Sequence, residues 1–375
     1  MSYRVDVQRL TIRARAGGGS GDVAGGSRDA DGAARASSAL VDVSFSVEPG
    51  RICGLFGGES SARSQLLACL AAYRRPRAGA VRVDGEDPYE NARLMNGICL
   101  VDGRGGIGVD ESTTVREVLE IVALLRPRWD QAFAAALLDG FEVAAGAKVA
   151  RLARGRRAAL AVTIALASRA PLTMIDEAHL DLEPTDQVTF HRALRADQQA
   201  HRRTVILAGP TVGEAGDDDI QRAQDGGGPL DDVVLLGGGR LLAAMPAVGL
   251  RARGHVVSGD ADALAAFLAT VTGADLPEPV TGAAVREPAT GAEVPEAGAT
   301  PGALGDALTG GGFAVLADRR LGRLRSVVLV GALPRDAAAA ADRARITVGP
   351  VGLRELVTRL TDERSALGDL AESSR

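Results

Sequence analysis

Lysine is almost missing from this chain of 375 residues: Lys148 is the single one, among 43 lysines and arginines together. Any site that needs a lysine elsewhere is excluded, and arginine must carry every other fixed positive charge. Aromatic residues make up 3%, so burial has to come from closely packed Ala-, Val- and Leu-rich elements. The arginine clusters, Arg74-Arg75 and Arg154 with Arg156-Arg157, lack interleaved aromatics. With a net charge of −5, nothing favours nucleic acid as a partner. Three cysteines, Cys53, Cys69 and Cys99, are an odd number set in apolar runs. That argues against a disulfide framework or a zinc site and reads as buried, reduced thiols of a cytosolic protein. The histidines, His179, His191, His201 and His255, show no ligand spacing with cysteine and read as surface or loop residues. Long apolar runs are missing too. The longest, Ala158 to Ile175, is broken by Arg169 and Pro171, and Met1 to Leu10 has no apolar signal core. The chain is expected to be soluble, or held at a membrane through a partner.

What is present centres on Gly54-Leu-Phe-Gly57-Gly58-Glu59-Ser60-Ser61-Ala62-Arg63-Ser64-Gln65. An apolar run, Arg51 to Cys53, precedes it, and a helix-like one, Leu66 to Leu70, follows. Strand, glycine-rich turn and helix form the layout of a phosphate cradle, in which backbone N–H groups and the helix N-terminus face an anion. The frame of Gly, four residues, then Gly-Lys-Ser/Thr reads here as Gly57, four residues, then Ala62-Arg63-Ser64. Ala62 adds a Cβ that narrows the cradle. Arg63 replaces a compact ammonium with a wider planar fork, while Ser64 keeps the hydroxyl that would hold Mg²⁺. Taken alone, the same letters also suit an ordinary Gly/Ser turn.

Along the chain, Tyr3 to Arg13 and Val41 to Val47 alternate like half-buried strands, and Gly17 to Ser38 reads as a flexible insertion. Strands are expected at Ala80 to Gly85, Ile98 to Val101, Leu172 to Glu177, Thr204 to Ala208 and Val233 to Leu236. Asp102 to Asp110 reads as a glycine-rich loop. Helices are expected at Thr114 to Leu125, capped by Ser112 or Thr113, near Trp129 to Leu138, and at Arg157 to Ser168. Strands alternating with helices argue for an α/β domain over residues 1–252 with a largely parallel sheet. Residues 253–375 change character. The order β-α-β-β-α-β from His255 to Leu360 fits a small, ferredoxin-like α+β domain, interrupted by a Pro-, Ala- and Gly-rich stretch, 273–312, expected to be disordered.

Asp176 and Glu177 end an apolar strand, and the C-terminal strand ends of an open α/β sheet face the ligand crevice. An acid there can hold Mg²⁺ through water, and a second can orient or deprotonate attacking water. Solvated acids capping a strand end would look the same. Between the loop and this strand lies Leu152-Ala153-Arg154-Gly155-Arg156. With these segments the sequence resembles the ATP-binding subunit of an ABC transporter, over roughly Tyr3 to Met245. The C-terminal tail and the Ala- and Arg-heavy composition resemble actinobacterial members.

The resemblance implies a P-loop nucleoside triphosphate hydrolase fold of the ABC type with ATP and Mg as cofactors. It places Gly57, Gly58, Ser61, Ala62, Arg63, Ser64 and Gln65 at the phosphates, Ser64 and Asp176 at the metal, and Glu177 as general base. Ala153 and Gly155 fall in the signature segment, which meets the partner subunit's nucleotide. The departures are the loop's Ala62-Arg63, Ala153 for a serine, Glu183 for the aspartate of the dimer-communicating loop, and Pro210 for the histidine that contacts the γ-phosphate. No glutamine stands near Asp102, and no aromatic stands just before Leu40 to stack on adenine. One preorganised donor is often worth ~10²–10³ in rate, so weak or no hydrolysis is expected. The resemblance implies a homodimer or a heterodimer with a sister subunit, docked on membrane-spanning partners at the inner face of the cell membrane. The other reading is a pseudo-ATPase that serves as an interaction module.

Overall fold

Two strand patterns in the sequence become two kinds of sheet. In the computed structural model, residues 2–13, 38–58, 60–102, 112–212, 230–272, 304, 307–308, 312–334 and 336–361 are described, and they fall into two units, Met1–Ala244 and Met245–Arg375. The expected flexible insertion lies outside these residues except for Ser38, which opens a strand. The expected glycine-rich loop lies outside them except for Asp102.

In the first unit the alternating segments β1 (Val5–Arg13), β2 (Ser38–Val47) and β4 (Ala78–Val83) pair antiparallel in the order β2-β1-β4. Their inward residues, among them Val5, Val7, Val43 and Val83, are buried. The near-continuous apolar runs become β3 (Ile52–Gly57), β5 (Ile98–Asp102), β6 (Leu172–Asp176), β7 (Thr204–Gly209) and β8 (Asp232–Gly237). These are mutually parallel, and β9 (Arg240–Pro246) completes the order β5-β6-β7-β3-β8-β9. Strands buried on both faces lose the period of two, which is why they read as plain apolar stretches. Helix α1 (Ser60–Leu70) lies between the two sheets and joins them in one core through Leu66, Leu67, Cys69 and Leu70.

The short α2 (Ala92–Met95) precedes β5, and α3 (Val115–Leu125), α4 (Gln131–Gly140), α5 (Arg154–Ala167) and α6 (Pro184–His201) follow. The cap of α3 is Thr114, not Ser112 or Thr113. Glu117 N–H donates to Thr114 Oγ1 (3.3 Å) and Thr114 N–H donates to Glu117 Oε2 (2.7 Å), a reciprocal capping box that needs Glu three residues on. Every residue of α5 from Ala158 to Ala167 is buried, and its many alanines let α4 and α6 approach closely. Trp129 packs ahead of α4, its Nε1–H donating to Gln131 Oε1 (2.8 Å).

The second unit opens with the short α7 (Ala247–Arg251). Its sheet contains β10 (Gly254–Asp260), β11 (Phe313–Leu321), β12 (Leu324–Gly331) and β13 (Thr347–Pro350), all pairs antiparallel, in the order β11-β12-β10-β13. Counted within the unit this is 2-3-1-4, the arrangement of the split βαβ motif. Helices α8 (Ala261–Thr272) and α9 (Ala337–Ala344) cover one face, where Leu264, Phe267 and Leu268 meet Val257, Val327 and Leu329. Helix α10 (Leu353–Thr361) inserts Leu356 beside Gly254, where a Cβ would come within 2.3 Å of it. Most of the stretch expected to be disordered lies outside the described residues. Its end does not behave as expected: Leu304, Ala307 and Leu308 are helical and buried. Two leucines give that end enough apolar area to dock.

Candidate functional site

The phosphate-loop region is tighter than its glycines suggest. β3 continues through Gly54 to Gly57, and α1 begins at Ser60 rather than near Leu66. Gly54 and Gly57 are packing glycines inside a strand. A Cβ on Gly54 would sit 2.3 Å from the Phe56 ring, and one on Gly57 would sit 2.8 Å from the Leu236 carbonyl oxygen. Gly58 and Ser61 are exposed at the rim, whereas Ala62, Arg63 and Gln65 turn inward on α1. Gln65 Oε1 accepts from Arg74 Nη1 (2.8 Å).

Parallel register brings the acidic end of β6 alongside this loop. Asp102 is opposite Asp176, Asp176 opposite Ala208, and Phe56 opposite Gly209. Glu177 leaves the sheet with φ 61°, a left-handed conformation costly for a residue with a Cβ. Its N–H is tied to the Ala208 carbonyl (2.9 Å), and its carbonyl accepts from Leu180 N–H (2.8 Å). The strained turn thereby aims the Glu177 carboxylate back at α1.

Four predicted residues meet there. Ser64 Oγ donates to Asp176 Oδ2 (2.5 Å), while Asp176 Oδ1 is buried with no hydrogen-bond partner. Burial pushes the Asp176 carboxyl above its ordinary value; the Ser64 hydrogen bond works against that shift, and the neighbouring Glu177 adds to it. A hydroxyl beside a buried carboxylate with an idle oxygen suits a hard cation such as Mg²⁺, which binds through one or two carboxylates plus ligand oxygens and water. The Arg63 side chain is 1% exposed and pairs with Glu177, which is 36% exposed. One Arg63 Nη donates to the Gly57 carbonyl, the other to Glu177 Oε1, and Nε is buried without a partner. Ser64, Asp176 and Glu177 thus line one cleft of about 1320 Å³, and Arg63 is buried behind Glu177.

Ala153 and Gly155 lie at the start of α5. Ala153 is the N-cap and makes no side-chain cap bond, and the first turn of α5 carries no acid. Gly155 faces Glu183, whose Cγ would be 3.4 Å from an added Cβ. The arginines of this segment are held by acids of the same chain: Arg154 by Asp181 (2.7 Å), Arg156 by Asp186 (3.1 Å) and Glu142 (3.3 Å). Asp181, Arg126 and Arg157 also line the cleft and were not expected there. An acid five residues beyond Asp176 was the available signal for Asp181. His179 departs from the surface or loop expectation. It is 3% exposed, two residues past Glu177, its ring centroid 5.9 Å from that of Phe190. Its imidazole is driven down to about 3, by burial first and by His191 second.

A family model described as ABC transporter matches residues 40–179. The ABC transporter ATP-binding protein YtrB of Bacillus subtilis is 25% identical over 170 residues, covering 45% of this chain and 56% of that protein. The mycobactin import ATP-binding/permease protein IrtB of Mycolicibacterium smegmatis is 30% identical over 185 residues, 45% of this chain and 31% of that one. The chain thus spans about half the length of the first and about a third of the second. A solved structure described as an ATP-binding subunit of an ABC transporter aligns with TM-score 0.48 and 18% identity, over 66% of this chain and 91% of that one. The phosphate-loop strand and helix and the acidic strand end all fall within residues 40–179, the part of the chain that matches the ABC transporter family model and is similar to the ATP-binding proteins of that family.

Proposed function

We propose that the chain is the ATP-binding subunit of a transporter, taking Mg-ATP at the α1 loop and coupling it to membrane-spanning partners, with little hydrolysis of its own. The observation that carries this reading is the Ser64–Asp176 pair, whose second carboxylate oxygen is buried and idle. In this reading Gly57, Gly58, Ser61, Ala62, Arg63, Ser64 and Gln65 surround the phosphates, and Ser64 and Asp176 hold the metal. Glu177 stands where a base would orient water. Ala153 and Gly155 face the nucleotide of a second subunit, a copy of this chain or a sister, so that each nucleotide is shared at a dimer interface.

Low turnover follows from three features. The base is paired to Arg63, Ala153 offers no hydroxyl, and Pro210 has no side-chain donor. Support for a partner comes from α3, where Ile121, Leu124 and Leu125 are exposed; contiguous apolar surface of this kind marks interaction sites. No helix among the described residues is long and apolar enough to cross a membrane, so membrane attachment would run through that partner at the inner face.

The test is calorimetric titration of the full chain with Mg-ATP, with and without EDTA, alongside steady-state hydrolysis. Metal-dependent binding with negligible turnover is expected. Robust turnover that Glu177→Gln abolishes would refute the weak-hydrolysis part. A second reading, a pseudo-ATPase interaction module, is favoured by one observation: Arg63 satisfies Glu177 and the Gly57 carbonyl without any ligand. Absence of heat and of thermal stabilisation at saturating nucleotide would select it.

A further inference from the structure

Arg63 does more than stand in for a lysine. Its guanidinium is buried and bridges two strand ends, that of β3 through the Gly57 carbonyl and that of β6 through Glu177. A residue placed like Glu177 acts beside the terminal phosphate of a triphosphate. The cation paired with it therefore occupies the ground a third phosphate would enter.

The two loop chemistries respond differently to that phosphate. A lysine ammonium carries three rotatable donors on a flexible stem and can turn from a carboxylate to a phosphate. A guanidinium is a planar fork whose donors have fixed directions. With two of those directions committed here, a third phosphate must lift Arg63 off both acceptors. Glu177 would then be left without its counter-charge, next to added negative charge, and like charges at such range repel. A second phosphate asks for no such displacement. Arg63 Nε is a donor still without a partner, and Asp176 Oδ1, which can only accept, is left for the metal.

We infer that the native site selects a nucleotide ending in a diphosphate over one ending in a triphosphate, with Arg63 as the specificity-determining residue. This rests on the nucleotide-binding reading above and narrows its ligand class: the resting subunit holds the diphosphate, and the triphosphate enters only by breaking the Arg63–Glu177 pair.

The experiment is isothermal titration of the full-length chain, in Mg²⁺, with ADP and with the β,γ-imido analogue of ATP, which removes hydrolysis as a complication. Pyrophosphate and tripolyphosphate repeat the comparison without the base. The expected result is ADP binding at least about tenfold more tightly than the imido analogue, a gap of about 1.4 kcal/mol, with pyrophosphate preferred in the same sense. Arg63→Lys should erase or invert the gap by improving the imido analogue while leaving ADP within a few-fold. Glu177→Gln, which keeps an acceptor but loses the charge, should narrow it. If ADP binds and the imido analogue binds as tightly or more tightly, the selectivity is overturned while the nucleotide reading stands. If the native chain binds neither nucleotide but Arg63→Lys binds both, the selectivity is again overturned, because Arg63 then bars nucleotides altogether. If neither chain binds any of the four probes, the nucleotide reading itself fails and takes this inference with it.

Discussion

Glu177→Gln, which would silence the proposed base while keeping its shape, should also destabilise the ligand-free protein. The change removes one charge and keeps the Oε1 acceptor. Arg63, 1% exposed, would keep hydrogen bonds to the Gly57 carbonyl and to the new amide, but its Nε already lacks a partner and its nearest counter-charge would be gone. Breaking a fully buried ion pair costs roughly 3–5 kcal/mol. Exposed pairs are worth about 0.2–1 kcal/mol. Glu177 is 36% exposed and Asp176 remains within electrostatic reach of Arg63, so the pair belongs between these limits, at about 1–2 kcal/mol. For a unit of this size that is a loss of roughly 2–8 °C in melting temperature. The assay is calorimetric melting without nucleotide, at neutral pH, of wild type, Glu177→Gln, Arg63→Met and the double variant. Arg63→Met removes the charge and keeps an apolar stem. A coupling of about 1 kcal/mol or more between the two sites is expected. An unchanged melting temperature for Glu177→Gln, or effects that simply add, would show that the pair carries no net energy and would undercut its role as a bar to phosphate.

The first turn of α5 offers a gain rather than a loss. Ala153 caps it without a side-chain bond, and Arg154, Arg156 and Arg157 sit at the positive end of the helix; Ala153→Ser should stabilise the first unit by about 1 kcal/mol, and urea denaturation showing no gain would refute this. The buried His179 predicts acid sensitivity. Its folded-state value, about 3, lies below the unfolded value near 6.5, so the unfolded chain binds the extra proton between these limits and stability falls as pH falls through that window. At pH 5 the loss from this group is about 2 kcal/mol. Melting followed from pH 7 to 5 should drop more steeply in wild type than in His179→Leu, and parallel curves would remove His179 as the cause.

The parts of the fold legible in the sequence were those whose pattern is set by local burial. β1 and β2 alternate because one face is wet, and β6 and β7 run apolar because neither face is. Helix α6 was not anticipated, and its composition explains why. Only Phe190 and Leu194 among its apolar residues are buried, while Asp186, Gln187 and Asp197 are buried too. Asp197 pairs with Arg203 and Arg169, partners that approach from other elements, so no hydrophobic period marks the helix. The site divides the same way. That Ser64 and Asp176 would meet followed from a loop and a strand end of the right kind. That Arg63 would fold down onto Glu177 did not follow, because it depends on the left-handed turn at Glu177, which is held by β7 across the sheet.

The substituted positions share a physical consequence. A site that waits for a ligand keeps polar groups unpaired and tolerates the cost, because binding repays it. Here the groups best placed to meet phosphate or a second subunit have found partners within the chain: Arg63 on Glu177 and Gly57, Arg154 on Asp181, Arg156 on Asp186 and Glu142. A third phosphate or a second subunit must break such a pair before it gains a new one. Part of its binding energy then goes into reorganising the ground state and is lost to the transition state. The same pairs stabilise the ligand-free form. A chain built this way can hold a conformation without nucleotide, and Arg63→Lys should trade some of that resting stability for affinity toward the terminal phosphate.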